Sequence, residues 1–342
     1  VAVNKVYTKA FQERDIRPLE ADAEKMLAYQ MDREWLLKRK KEFVKVACPA
    51  CASAQAKIYY EKLGFVYVEC RDCATVYVNP RPTAGLLREF YRNSKAYEFW
   101  NRNIFPAYEA SRVARICRPR IKEILSLCRE HHVQRRNFVE VGPGFGTFSK
   151  EMQSTGFFKR VIVIEPGSAL AESCRAKGLT VIEASVETAG SLKAVDVVVT
   201  FEVLEHLFSP FDFVKGCAKI LSPNGLLVLT CPNVRGFDFT AAGKENAPFD
   251  HEHINYFHPA AMAVLLERCG LEVVNISTPG VLDVDLIRTA VLKGGICLEG
   301  RPFLKDLLLD HWNEKTAVEF QEFLAENGLS GHMWAVARKK RK

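Results

Sequence analysis

Apolar positions in the second half of the chain gather into short, nearly unbroken runs separated by segments with helical spacing. Residues 138–141, 161–164, 195–201 and 225–231 are rich in Val, Ile, Leu and Phe. Runs of that length and continuity predict strands buried on both faces. A helix carrying Ala169, Leu170 and Ala171, a short strand at 179–183 and a helix over 210–221 fall between them. Strands and helices alternating in this way predict a parallel sheet with right-handed crossovers. Farther on, Pro259 starts a helix bearing Met262, Leu265, Leu266 and Cys269, which Gly270 ends. Residues 272–277 and 332–337 read as the last two strands, with a largely helical insertion, 280–328, between them.

The first half has a different texture. Residues 1–46 are polar and mostly helical in pattern, and Leu27, Met31, Trp35 and Leu36 form a stripe expected to pack on the rest of the protein. Two short strands, 57–60 and 65–69, flank Gly64. Residues 79–82, Asn-Pro-Arg-Pro, form a stiff connector. Thr83 then N-caps a helix with Leu86, Leu87, Phe90 and Tyr91, and a long helical stretch, 106–132, leads into the sheet.

The chemistry begins where the first buried run ends. Gly142, Gly144 and Gly146 follow it, removing side chains where a ligand would have to pass. Glu165, placed to accept from both hydroxyls of a ribose, closes the second run. Thr147 stands where a dinucleotide fingerprint has its third glycine, which disfavours a pyrophosphate and suits a smaller adenosine-bearing cofactor. Ser185, Phe201, Glu202 and Pro232 also fall at strand ends, so all these residues are expected on one rim of the sheet.

Composition narrows the class. The 342 residues are 48% hydrophobic and 26% charged, ordinary values for a globular protein with one sizeable core and an accessory module. No apolar run approaches the roughly 18 residues needed to span a bilayer. Residues 1–9 are polar and lack a signal-peptide core, so a cytoplasmic location is expected. The net charge of +7 is concentrated at residues 338–342, whose five basic side chains leave about +2 elsewhere. Of eleven cysteines, Cys48, Cys51, Cys70 and Cys73 form two Cys-x-x-Cys pairs eighteen residues apart. That spacing predicts a ribbon holding structural zinc, with no open coordination position for catalysis.

The glycine turn with Glu165, together with Glu202-Val-Leu-Glu-His206 and the Asn-Gly-x-Leu-x-Leu-x-x-Pro-Asn segment ending at Asn233, resembles the class I S-adenosylmethionine (SAM) methyltransferases over about 135–342. The resemblance implies an α/β fold, a Rossmann-like seven-stranded sheet whose last strand runs antiparallel between its neighbours. To this are added a small N-terminal zinc ribbon (47–82), a helical segment at 1–46, a helical linker (83–134) and the helical insertion. It also implies SAM as cofactor, with Glu140, Gly142, Gly144 and Gly146 on the methionine side and Glu165 and Pro166 at the ribose. Ser185 and Val186 would flank adenine, where the family's usual acid is replaced unless Glu183 or Glu187 substitutes, and Phe201 and Glu202 would lie near the methyl group.

Two clusters could serve an acceptor. His251, Glu252 and His253 follow the fifth strand, with His253 the first choice of base or, equally, a hydrogen-bonded residue ordering a loop. Glu202, Glu205 and His206, joined by His253 or His251, are similar to a metal-binding set in small-RNA and ubiquinone-pathway methyltransferases, which would imply Mg2+ or Mn2+; the other reading has them buttressing the turn. The whole layout is similar to methyltransferases of glycan pathways, implying a hydroxyl or carbon acceptor on a sugar, nucleotide-sugar or other small polar metabolite. An RNA methyltransferase holding RNA with ribbon and basic tail, and a non-catalytic SAM-binding scaffold, are the alternatives.

Overall fold

The computed structural model describes residues 12–16, 23–189 and 192–340; expectations for the remainder lie outside the described residues. The first long helix, Ala23–Leu37, buries Ala28, Asp32 and Leu36, while Leu27 and Met31 are 56% and 48% exposed. Half of the apolar stripe packs as its spacing implied: Leu36 is fully buried and Trp35 lies against Phe90, while Leu27 and Met31 stay outside. The reason is Asp32, whose carboxylate accepts from Ser94 Oγ (2.6 Å), Lys95 N (2.8 Å) and Ala96 N (2.9 Å). Those bonds cap the helix Lys95–Phe99 and turn the Asp32 face inward.

The ribbon holds β1 (Phe43–Val44), β2 (Ala56–Lys62), β3 (Phe65–Cys70), β4 (Val76–Val78) and β5 (Arg81–Pro82). β2 and β3 form a hairpin whose two turn residues, Leu63 and Gly64, have φ of +53° and +86°, the left-handed pair that a tight two-residue connection requires. Thr83 caps the next helix, Ala84–Asn93, accepting from Leu86 N as expected.

The main sheet contains β6 (Asn137–Val141), β7 (Arg160–Ile164), β8 (Thr180–Ile182), β9 (Val195–Phe201) and β10 (Leu221–Pro232), all parallel. After β11 (Asn255–Tyr256), the chain adds β12 (Leu271–Ser277) and β13 (His332–Lys339), giving the order β12-β13-β10-β9-β6-β7-β8. β13 runs antiparallel between β12 and β10. Side chains alternate across the sheet as the buried runs required. Val139, Ile162, Leu227 and Met333 enter one core; Phe138, Val161, Val228 and Trp334 enter the other. β6 and β9 are neighbours, so chain direction through the order reverses there and opens a crevice at their carboxyl ends.

β11 pairs with β4, so the ribbon sheet, ordered β11-β4-β3-β2, runs past the boundary expected at residue 82. Arg81 locks this junction. Its guanidinium is fully buried and donates to Val78 O, Phe208 O, Asn255 Oδ1 and Ile254 O at 2.9–3.2 Å. Asn255 in turn donates to Leu204 O and Leu207 O.

Residues 95–130, expected as a linker, form a nearly continuous helical roof over the crevice. Wide π turns at Trp100–Ile104 and Val113–Cys117 precede Pro106 and Pro119. Proline cannot donate to the preceding turn, which opens the helix at these points. The insertion is helical, with Asp283–Leu292 and Glu314–Glu326 sharing a separate core with Phe237 and Ala241. Among the described residues no helix is long and apolar enough to cross a membrane.

Replacing Arg81 with Met should remove one hydrogen bond from each of four acceptors, of which Ile254 O keeps another from Val78 N, and cost about 3 kcal/mol or more of stability. Arg81→Lys should rescue little, because one ammonium cannot span four acceptors. Urea unfolding measures both; a loss below about 1 kcal/mol for Arg81→Met would show that the junction holds without it.

Candidate functional site

A cleft of about 2680 Å³ occupies the crevice, between the sheet rim and the helical roof. Gly142, Gly144, Glu165, Pro166, Ser185, Val186, Phe201 and Glu202 all line it. The three loop glycines have φ of +71°, +54° and +73°. They do different work. A Cβ on Gly142 would come within 2.8 Å of Val203, while one on Gly144 would meet nothing within 4 Å, so Gly144 presents bare backbone to the cleft. Gly146 instead packs inward, where a Cβ would collide with Leu179 and Cys174 at 2.7 and 2.9 Å. It is the N-cap of the helix Thr147–Ser154 and does not line the cleft. In this position Gly146 has a packing role that shapes the turn.

Glu140 is buried against this turn and accepts from Ser149 Oγ at 2.5 Å. Burial pushes its carboxyl up to about 8. Glu165 ends β7, accepts from Gly167 N at 2.7 Å, and is raised by burial to about 7. Glu183 is committed to Ser168 and Arg175. Of the two, only Glu187 lines the cleft.

Phe201 lies between Phe148 and Trp334, with the Arg120 guanidinium 4.8 Å from its ring centre. Glu202 follows with φ of +53°, a backbone state that ordinary side chains seldom adopt. Its Oε1 accepts from Thr230 Oγ1 (2.6 Å) and His332 Nε2 (2.9 Å), and Arg120 lies 3.8 Å away. Enclosure alone would raise this carboxyl, yet His332 and Arg120 hold it well below the usual range. Arg120 and His332 left no signal in the sequence, being 82 and 130 residues from Glu202 and outside any motif.

The acceptor end is built on the turn 204–206 and the loop 250–254. Glu205, His206 and His253 bring ligand atoms within 4.8 Å of one another. Glu202, expected to join them, is turned to Thr230 and His332. Glu205 is buried with Oε2 unpartnered, and burial beside Glu202 keeps it protonated well above the usual range. His206 Nδ1 lies 2.9 Å from Tyr91 Oη and 3.1 Å from Glu252 O, and Tyr91 Oη lies 3.2 Å from the same carbonyl. A carbonyl only accepts, so Nδ1 carries the proton, Tyr91 donates to Glu252 O, and His206 Nε2 keeps its lone pair. Burial, with His253 beside it, holds His206 down to about 3, a neutral acceptor. His253 packs on the His206 ring at 4.7 Å and has Asp250 Oδ2 at 3.6 Å. Burial with Asp250 nearby raises Glu252 to about 8. His251 points away from the cleft, between Tyr29 and Phe90. Tyr91 was legible only as an apolar helix position, and its hydroxyl's role depends on a loop 161 residues away.

The four ribbon cysteines stand apart from the cleft lining. Their sulfurs lie within 4.8 Å of one another, with Cys48–Cys73 at 3.4 Å and Cys51–Cys70 at 3.5 Å, and none is in a disulfide. Zinc–sulfur bonds of about 2.3 Å in a tetrahedron need sulfurs about 3.8 Å apart, so donor set and spacing fit that ion. Hydrogen bonds from Cys48 and Thr75 hold Cys73 down to about 4, and the same Cys73 contact pushes Cys48 up.

The sheet order with its antiparallel seventh strand, and a cleft at the β6/β9 reversal, define a Rossmann-like class I methyltransferase fold. Residues 110–276 match the family model of a methyltransferase domain. The chain is 35% identical over 80 residues to a "Probable S-adenosylmethionine-dependent methyltransferase" of Mycolicibacterium smegmatis, covering 23% of this chain and 30% of that one. It is 27% identical over 157 residues to the ubiquinone biosynthesis O-methyltransferase of Xanthomonas axonopodis pv. citri, covering 41% and 64%. The chain thus spans less than two thirds of the length of these curated relatives. Its structure is similar to that of an S-adenosylmethionine-dependent methyltransferase from Clostridium acetobutylicum, with 9% identity, 65% and 91% coverage and a TM-score of 0.43.

An acid raised from 4.5 to about 8, as Glu140 is, holds more protons folded than unfolded in that window. It therefore costs stability increasingly as pH rises through it. In Glu140→Gln the melting temperature should fall less between about pH 6 and pH 9 than in the parent. Equal falls by calorimetry would assign the decline to other groups.

Proposed function

We propose that the protein is a SAM-dependent methyltransferase acting on a hydroxyl of a small polar metabolite, a sugar or nucleotide-sugar being the favoured class. The observation that carries this reading is the single cleft that joins the Gly142–Gly144 turn and Glu165 to the Glu205/His206/His253 wall. Bound SAM would supply an electrophilic methyl group on sulfur. Gly142 and Gly144 would pass its amino-acid portion, Glu165 would take the ribose hydroxyls, and Ser185, Val186 and Glu187 would flank the adenine. Glu202, held charged by His332 and Arg120, suits the cationic end of such a ligand.

On the acceptor side, transfer requires an aligned nucleophile and a home for its proton. His206 Nε2 offers a fixed lone pair for aligning a hydroxyl, and His253, paired with Asp250, is the residue we assign to accept the proton. The raised, neutral Glu205 can donate a hydrogen bond to a polyhydroxyl ligand. The fit for a divalent catalytic ion is incomplete, because Glu202 is engaged elsewhere, so no step is routed through Mg2+ or Mn2+. Zinc among Cys48, Cys51, Cys70 and Cys73 would be structural, bracing the ribbon against the β10 side of the core.

The RNA reading draws less support. Arg338 pairs with Glu272, and Lys339 donates to Leu221 O, so two of the three described basic residues of the tail are spent on the sheet.

The test is methyl-labelled SAM incubated with protein and cell extract, followed by separation into RNA and small-metabolite pools. Label should enter the small metabolites; label in nuclease-sensitive material would overturn the substrate assignment. Glu165→Ala should weaken SAM binding about tenfold or more by calorimetry, and unchanged affinity would remove Glu165 from the cofactor site. Cys70→Ser should lose the zinc, one atom per chain in the parent by mass spectrometry, and lower the melting temperature; full zinc retention would dissolve the four-thiolate assignment.

A further inference from the structure

Asp32, His251 and Glu252 form a second cluster that the proposed transfer reaction does not use. One ligand atom from each lies within 4.8 Å of the others, yet Asp32 and His251 are 219 residues apart in the chain. His251 is 2% exposed, gripped edge-on by Tyr29 and Phe90, and its Nε2 has no hydrogen-bond partner. An orphaned imidazole nitrogen beside two carboxylates is costly unless something binds it. Asp32 has one Oδ1 lone pair to spare, since that oxygen accepts only from Lys95 N, while Oδ2 serves Ser94 and Ala96. Asp32 and Glu252 reach the cleft wall, which gives an entry path and room for water ligands.

We propose that Asp32, His251 and Glu252 bind a divalent first-row metal cation, distinct from the ribbon's thiolate site and from the Glu205/His206/His253 trio. One imidazole and two carboxylates suit Mn2+, Fe2+ or Zn2+ and exclude nothing by softness as thiolates would. The ion would fasten the helix Ala23–Leu37, and through Asp32 the cap of Lys95–Phe99, to the loop carrying His253. It would therefore clamp the helical roof to the acceptor wall.

The test uses full-length protein with its ribbon saturated in zinc and excess metal removed, then titrated with MnCl2 while free Mn2+ is read by electron paramagnetic resonance. The parent should bind one equivalent and show nitrogen hyperfine coupling from one histidine. His251→Gln and Glu252→Gln should each weaken binding about tenfold or more, with ribbon zinc content and circular dichroism unchanged as proof of folding. Glu205→Gln should bind as the parent does. Absence of bound Mn2+ in the parent overturns the proposal, as does loss in Glu205→Gln with retention in both other variants. Neither readout involves methyl transfer, so the site stands or falls separately from the catalytic reading.

Discussion

A single buried cation organises the junction on which the cleft depends. Among the described residues Arg81 has no carboxylate against it; it is held by three backbone carbonyls and one amide oxygen drawn from β4, the 204–208 turn and the 254–255 segment. Burying a guanidinium is expensive, so the arrangement is tolerable only while all four acceptors stay in place. The same condition fixes the relative positions of the ribbon exit, the turn bearing Glu205 and His206, and the loop bearing His253. The ribbon is consequently part of the frame of the site, and β11 completes its sheet.

Within that frame, charge is distributed unevenly along the cleft. Buried Glu140 and Glu205 and half-buried Glu252 are pushed up toward or past neutrality, whereas Glu202 is kept ionised by His332 and Arg120. Burial alone raises Glu140, while Glu205 beside Glu202 and Glu252 beside Asp250 are raised further by a neighbouring carboxylate. A charged Glu202 near the rim can face a cationic ligand, and at the acceptor end neutral acids stand beside Asp250, which its histidines hold ionised.

The helical roof shows how far local pattern carries. Its helicity was readable over 106–132, and its two prolines explain the wide turns that let it arch over the sheet. That it covers the cleft was not readable, because the contacts that seat it are long-range: Asp32 to the 94–96 cap, and Glu109 to Thr147 and Lys177. The exposure of Leu27 and Met31 on Ala23–Leu37 has the same origin. Spacing registers which residues share a helix face, but a buried carboxylate with three donors decided which face turned inward.

The sequence by itself determined the elements of the sheet, the left-handed glycine turn, the acid closing β7 and the paired cysteines. Each of these follows from interactions between residues close in the chain or from an unbroken apolar run, and such signals survive without knowledge of neighbours. Tertiary structure alone decided that Gly146 packs inward, that Glu202 belongs to His332 and Arg120, and that the Glu252 carbonyl, shared with Tyr91, sets the tautomer of His206. Those are side-chain pairings across 82 to 130 residues of chain or between separate loops. They are selected by burial and by the need to satisfy polar groups once the segments have met, and nothing in the local pattern encodes that meeting.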